Sequence, residues 1–125
     1  MKLSKQSLYI LATFLWAGLI YFLSAQPDLK TSLPAWYDLI LRKMAHVFVF
    51  AVLTYLLAKT FTKHNKAVIL LVIILAIFYA FSDEIHQLNV EGRYGSAKDI
   101  LIDSIGVFLG IFYLRRKYYF KIFKK

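Results

Sequence analysis

Side chains that could bind ions or transfer protons are concentrated in the run from Ser82 to Gly110, directly after a purely apolar segment. The polar residues in this run are Asp83, Glu84, His86, Gln87, Glu91, Arg93, Lys98, Asp99 and Asp103. Carboxylates and imidazoles exchange protons, whereas guanidinium and ammonium groups bind anions. Ionisable groups beside such an apolar segment are costly unless they are paired or face water, so the run predicts a functional site.

Helical spacing sorts several of these residues onto shared faces, because positions three or four apart lie above one another on a helix. The sets are Tyr79, Asp83 and His86; Asp99, Asp103, Gly106 and Gly110; and Lys43, His46 and Phe50. A Gly-x-x-x-Gly pair lets another helix approach closely, so the glycine face is predicted to point into a bundle. Short connections then predict one pocket, lined by His46, Asp83, His86, Arg93, Asp99 and Asp103.

Neither a metal ion nor a cofactor is predicted. Aspartate and histidine are ligand types, but the His-Glu-x-x-His spacing is absent, and the chain has no cysteine. No nucleophile-elbow pattern surrounds Ser82 or Ser104. Proton transfer by Asp83 and His86 stays open, because a carboxylate beside an imidazole favours its protonated form.

Structural roles would also account for many of these residues, and they stay open at this stage. Ser96 to Asp99 fits a capping box at the start of a helix, and His46 fits a hydrogen bond between helices. The other structural assignments are solvation of Glu84 and Glu91, headgroup contacts of Arg42 and Lys43, and ion pairs of Asp83 and Asp103 with Arg93, Lys98 or Lys43.

The composition indicates an integral membrane protein. The chain has 125 residues, of which 60% are hydrophobic, and its mean hydropathy is +0.59. A soluble domain of this size could not bury so much apolar surface. The apolar runs predict a single all-α domain, a bundle of four transmembrane helices. The spans are predicted at about residues 7–24, 44–60, 67–87 and 97–114, with a basic tail at 115–125.

Two features refine the first half of this topology. The first apolar run is predicted to be a span rather than a cleaved signal peptide, because it is long and Leu23 poorly fits the small-residue position before a cleavage site. A helix is predicted to start near Pro34. Trp36 and Ile40 share one side of it, so residues 35–43 predict a short interfacial helix before the second span.

The distribution of charge predicts the orientation of the bundle. The net charge is +9 at pH 7, and the basic residues punctuate apolar runs, which favours anionic lipids over nucleic acid as partners. With both termini in the cytoplasm, most basic residues fall inside, as the positive-inside rule requires. The basic residues left outside are Lys30, Arg42, Lys43, Arg93 and Lys98. All acidic residues fall on the outer half, so the pocket is predicted to face outward.

Several spaced polar motifs resemble the signature of the VanZ-like family of bacterial membrane proteins. They are SDEIHQ at 82–87, GRYGSAKD at 92–99, GVFLG at 106–110, Lys43-x-x-His46, and FLSAQP at 22–27. The resemblance extends from about Phe22 to Gly110. It implies a multi-pass protein of the bacterial cytoplasmic membrane, and the family is linked with low-level resistance to the glycopeptide antibiotic teicoplanin.

The resemblance also implies which residues form the site. The matching positions are Asp83, Glu84, His86 and Gln87 in the family's acidic-His-Gln motif, Arg93 and Ser96 in its loop, and Asp99 in its fourth span. Two residues depart from the pattern: Asp103 stands where an asparagine is expected, and Phe50 where a tyrosine is common. The additional carboxylate means that substrate and protonation state do not transfer directly from the family.

The sequence thus predicts an outward polar pocket that binds or acts on an amphiphilic envelope molecule, either a lipid-linked cell-wall precursor or a lipid-tailed antibiotic. The alternatives are a membrane hydrolase or transferase acting on a lipid headgroup, and a structural or partner-binding membrane protein. Catalytic roles are considered for His46, Asp83 and His86. The predicted binding residues are Lys43, His46, Asp83, Glu84, His86, Gln87, Arg93, Ser96, Asp99 and Asp103.

Overall fold

The protein is a bundle of four α-helices that run alternately up and down. The computed structural model describes residues 3–26, 32–93 and 95–122, with side chains described through 118. The helices are α1 (Lys5–Ser24), α2 (Ala35–Lys59), α3 (Lys66–Leu88) and α4 (Ala97–Ile122). These ranges contain no strand, so the predicted all-α class is confirmed. Pro27, Asp28, Lys30 and Tyr94, which entered the sequence predictions, lie outside the described residues.

Local sequence accounts for where the helices begin. Ser4 caps α1 by accepting a hydrogen bond from the Ser7 N–H at 3.0 Å, and Asn65 caps α3 by accepting one from the Val68 N–H at 2.9 Å. Both satisfy N–H groups that have no partner within the first helical turn. Pro34 directly precedes α2, as predicted.

Two helices extend beyond the spans predicted within them. Residues 35–43 form the first turns of α2 and continue into the predicted second span, so the predicted interfacial helix is not a separate element. Residues 115–122 continue α4, so this part of the predicted tail is helical. Neither junction contains a glycine or proline, which are the residues that most strongly interrupt a helix.

Three of the helices, α1, α2 and α3, are long and apolar enough to cross a membrane, by length and composition. Large apolar side chains such as Phe14, Phe78 and Phe112 remain exposed, as expected of surfaces that lipid covers. The first two turns of α4 carry Lys98, Asp99 and Asp103, which make it more polar than the others. A fourth span therefore stays a prediction.

A pair of glycines brings α4 close to α2, with which it runs parallel and shares the most extensive contact of the bundle. A Cβ at Gly106 would lie 2.3 Å from the Val47 carbonyl oxygen, and one at Gly110 would lie 2.5 Å from the Ala51 carbonyl oxygen. No side chain fits at these distances, so the predicted close-packing role of the glycines is confirmed. The contact aligns the first turns of α4 with the first turns of α2.

Two aromatic side chains attach α1 to its neighbours. Trp16 Nε1 donates to the Val49 carbonyl of α2 at 2.9 Å, and the Tyr79 hydroxyl of α3 donates to the Ala17 carbonyl at 2.6 Å. Partly buried indole and phenol groups stabilise a fold when their polar atoms find such partners. The end of α1, with Ser24, therefore lies beside the end of α3.

Candidate functional site

The polar residues singled out in the sequence gather at one end of the bundle, where α1 and α3 end and α2 and α4 begin; we term this the polar end. Two side-chain pairs join α2 to α4 there. Lys43 Nζ donates to Asp99 Oδ1 in a salt bridge, and His46 Nδ1 lies 2.9 Å from Asp103 Oδ1. Asp103 therefore pairs with histidine, rather than with any of the cations considered from the sequence.

Asp83 projects from α3 and is linked by hydrogen bonds to α1. Gln87 Nε2 donates to Asp83 Oδ2 at 2.9 Å and to Ser24 Oγ at 3.1 Å. The two α3 residues meet because they are four positions apart on one helix. All three side chains are buried, so Gln87 holds the Asp83 carboxylate in a defined orientation. The sequence analysis did not predict this contact of Ser24.

Glu84 connects the end of α3 to the loop before α4. Its Oε2 accepts a hydrogen bond from the Ser96 backbone N–H at 2.8 Å. The prediction that Glu84 is a solvated surface residue is wrong, because its exposed fraction is 4%. Gly95 permits the contact, since a Cβ there would lie 2.9 Å from the Glu84 carbonyl oxygen. The capping box is incomplete: Ser96 Oγ lies 3.0 Å from Asp99 Oδ2, but Glu84 takes the Ser96 N–H.

A polar pocket of about 250 Å³ opens at the polar end. Its wall includes three cationic side chains and one carboxylate, together with the His46 imidazole. The lining residues are Leu39, Arg42, Lys43, His46, Gln87, Gly92, Arg93, Asp99 and Ile102. Of the three cations, Arg42 pairs with Asp38 and Lys43 with Asp99, so Arg93 supplies the positive charge that suits an anionic group.

Arg93 is oriented in the pocket wall by the end of α1. Its Nε donates to the Gln26 carbonyl at 2.9 Å, and its Nη2 lies 3.4 Å from the Leu23 carbonyl oxygen. These oxygens belong to neutral peptide groups, so they position the guanidinium without cancelling its charge. Within the described residues no carboxylate pairs with it. Gly92 makes the preceding turn with a φ of 78°, which only glycine adopts readily.

His86 faces away from the polar pocket, contrary to the prediction that it lines the site. Its ring stacks on Tyr21 of α1, with the centroids 4.1 Å apart and the planes inclined by 24°. His86 is three positions from Asp83, and that spacing turns it to one side of the aspartate, against α1. Of the six residues predicted to line one pocket, His46, Arg93 and Asp99 do so.

An apolar groove of about 490 Å³ lies on the surface between α2 and α4, beside the polar pocket. The lining residues are Ile40, Lys43, Met44, Val47, Phe48, Ala51, Ile102 and Leu109. Lys43 and Ile102 line the polar pocket as well, so the two cavities adjoin. The sequence analysis missed the groove because its residues resemble those of any lipid-facing helix.

Three helices bring His46, Asp83 and Asp103 together behind the polar pocket; we term these residues the three-helix cluster. One potential ligand atom of each lies within 4.8 Å of the other two. Asp83 is 3% exposed and Asp103 is fully buried. Each aspartate has one oxygen, Asp83 Oδ1 and Asp103 Oδ2, without a hydrogen-bond partner among the described residues. Such unpaired oxygens destabilise a fold, so packing alone does not account for the cluster.

Comparison with known proteins connects this arrangement to a family. The family model described as VanZ/LLP1 matches residues 4–118, which is nearly the whole chain. The match includes all three residues of the cluster, the polar pocket and the apolar groove. Comparisons with curated proteins and with solved structures give no match.

Proposed function

The chain belongs to the VanZ/LLP1 family, and from this premise we propose that it binds an amphiphilic molecule of the bacterial cell envelope. The polar pocket takes the headgroup and the apolar groove takes the hydrocarbon chain. The observation that carries the proposal is that the two cavities adjoin at Lys43 and Ile102. A ligand that occupies both must have a polar part directly attached to an apolar one.

The charge of the pocket supports an anionic headgroup, such as a phosphate or diphosphate. Among the described residues Arg93 donates to neutral carbonyl oxygens, which leave its positive charge for a ligand. Lys43 lines both cavities, and its ammonium group is held at the polar end by Asp99. Guanidinium and ammonium groups together bind phosphate oxygens by charge-assisted hydrogen bonds.

The proposed setting is the bacterial cytoplasmic membrane, with four spans and both termini inside. The opposite end of the bundle carries the cations Lys59, Lys63, Lys66, Arg115, Arg116 and Lys117. The positive-inside rule favours that end in the cytoplasm, and the polar end then faces outward. The ligands that this setting supports are a lipid-linked cell-wall precursor and a lipid-tailed glycopeptide such as teicoplanin.

Substitution of Lys43 tests the proposed site. The full-length protein, purified in detergent, is titrated separately with a polyprenyl phosphate and with teicoplanin. Lys43→Gln is expected to weaken binding of the true ligand about tenfold, which corresponds to about 1.4 kcal/mol for one lost charge-assisted contact. Lys98→Gln is the matched control, because Lys98 is exposed on α4 and does not line either cavity.

The outcomes separate the possibilities. If Lys43→Gln binds one of the two probes more weakly while Lys98→Gln binds it as the wild type does, the result would support the site and identify the class of headgroup. Because Lys43→Gln leaves Asp99 without its cation, the double variant Lys43→Gln/Asp99→Asn serves as a check on that secondary effect. Equal affinities of wild type, Lys43→Gln and Lys98→Gln for both probes would overturn the proposal.

A second function, a hydrolase or transferase acting on the same headgroup, is supported by the His46–Asp103 pair. His46 lines the polar pocket, and its Nδ1 contact with Asp103 orients the ring. An imidazole held in this way is a common general base. The enzyme would lose turnover of a lipid in His46→Gln while binding persisted; His86→Gln is the control, since His86 stacks on Tyr21.

A further inference from the structure

We propose that His46, Asp83 and Asp103 bind one divalent transition-metal ion. This inference goes beyond the proposed binding of an amphiphile and does not depend on it, because all three ligands belong to the protein. No metal ion is predicted from the sequence, because the chain has no His-Glu-x-x-His spacing. Here α2, α3 and α4 contribute one ligand each, so no such spacing exists.

The distances within the three-helix cluster are close to those of a metal site. One potential ligand atom of each residue lies within 4.8 Å of the other two. Nitrogen and oxygen ligands at about 2.1 Å from a metal ion lie roughly 3–4 Å from each other. Small side-chain rotations would therefore close the cluster around an ion. The helices need not move, because Gly106 and Gly110 already hold α4 against α2.

The contacts within the cluster bring one ligand atom of each residue towards a common point. Asp103 Oδ1 contacts His46 Nδ1, and Asp103 Oδ2 has no partner among the described residues. Gln87 holds Asp83 Oδ2, while Asp83 Oδ1 is likewise without a partner in that part of the chain. His46 Nδ1 and Asp103 Oδ1, which already lie 2.9 Å apart, would both bind the ion in place of their mutual hydrogen bond. An amide that orients a ligating carboxylate, as Gln87 does for Asp83, is usual in metal sites.

The balance of charge at the polar end also favours a cation in the cluster. Asp83 and Asp103 are more than nine-tenths buried, and the buried Glu84 adds a third carboxyl group nearby. Lys43 is paired with Asp99, and Arg93 donates to peptide carbonyls of α1. A divalent ion would neutralise both aspartates of the cluster, whereas the single charge of a protonated His46 would leave one buried carboxylate uncompensated.

The ligand types indicate the class of ion. One imidazole and two carboxylates suit a first-row transition ion such as Zn²⁺ or Mn²⁺, whereas Ca²⁺ and Mg²⁺ favour all-oxygen sites. Three protein ligands are typical of catalytic metal sites, which keep one coordination position for another molecule. His46 also lines the polar pocket, so the ion would lie beside the proposed headgroup position. Only this last point rests on the proposed function.

Direct titration tests the site without any lipid. Tag-free, full-length protein in detergent is treated with a chelator and then titrated with Zn²⁺ by calorimetry and with Mn²⁺ by electron paramagnetic resonance. The wild type is expected to bind one equivalent. His46→Gln and Asp83→Asn are expected to lose at least about 100-fold in affinity, more than changes to groups that merely orient ligands typically cause.

Controls keep the result independent of folding. His86→Gln and Glu91→Gln each remove a histidine or an exposed acid that is not in the cluster and lines neither cavity, and both should retain the wild-type affinity. The ion should raise the unfolding temperature of the wild type and of these controls, but not of the cluster variants. Asp83→Asn preserves side-chain volume and can still accept the Gln87 hydrogen bond. An absence of saturable binding by folded wild type, or unchanged affinity in both cluster variants, would overturn the proposal.

Discussion

The two ends of the bundle hold their charges in opposite ways. At the polar end, Asp83 and Asp103 are buried and each has an unpaired oxygen within the described structure. At the other end, which we term the basic end, lysines lie over partly exposed aromatic rings. Lys59 Nζ is 5.3 Å from the Tyr9 ring centroid and 5.5 Å from that of Tyr118. Charge at the basic end keeps its hydration, whereas charge at the polar end has lost it.

The packing of the helices does not explain why the two ends differ in the hydration of their charges, since α2 and α4 form part of both ends. Lys43 meets Asp99 at the polar end, and Lys59 meets Tyr118 at the basic end. Parallel helices in constant register produce both contacts. The two ends differ in how deeply their charged groups are buried. Proteins keep buried carboxylates that are incompletely paired where binding or chemistry requires them. This difference supports the proposal that function lies at the polar end.

The largest expected effect comes from breaking the contact on which both ends depend. Gly106→Ala should destabilise the protein by about 2 kcal/mol, because its Cβ would lie 2.3 Å from the Val47 carbonyl oxygen. Thermal unfolding in detergent measures the effect. Gly18→Ala on α1 is the control, since a Cβ there meets nothing within 4 Å. Equal stability of the two variants would contradict the role of the glycines.

An intermediate effect is expected from Glu84, which sharpens the comparison at the polar end. Glu84→Ala removes the acceptor of the Ser96 N–H and should lower the free energy of unfolding by about 1–2 kcal/mol. Glu84→Gln keeps an oxygen acceptor and removes a buried charge, so it should be as stable as the wild type or more stable. Chemical denaturation compares the two. A Glu84→Gln variant that is less stable than the wild type would mean that the negative charge itself is structurally required.

The smallest effect is expected at the basic end. Lys59→Met keeps most of the aliphatic stem and removes only an exposed charge over two tyrosine rings, so it should cost less than about 0.5 kcal/mol. The same unfolding assay measures it, and increasing salt should reduce the difference further. A loss as large as that of Glu84→Ala would remove the distinction between the two ends.

Several site predictions were wrong because the face on which a residue lies does not determine which neighbouring helix its side chain contacts. The face shared by Asp83 and His86 was assigned to one pocket, yet Asp83 approaches α2 and α4 while His86 stacks on Tyr21 of α1. Residues three positions apart diverge by about 60° around a helix axis, and that angle is enough to reach different neighbours. Glu84 was assigned to water for a different reason, because the loop after α3 folds back over it and Ser96 donates to its carboxylate.

The sequence by itself determined the properties that depend on local interactions. Apolar runs defined the helices, Ser4 and Asn65 determined two helix starts, and Gly106-x-x-x-Gly110 marked the close contact of α4. Only the tertiary structure decided that Asp103 meets His46, that Asp83 joins them, and that an apolar groove adjoins the polar pocket. Those features depend on the relative register of three helices. Register is set by packing between residues far apart in the chain, which no local pattern encodes.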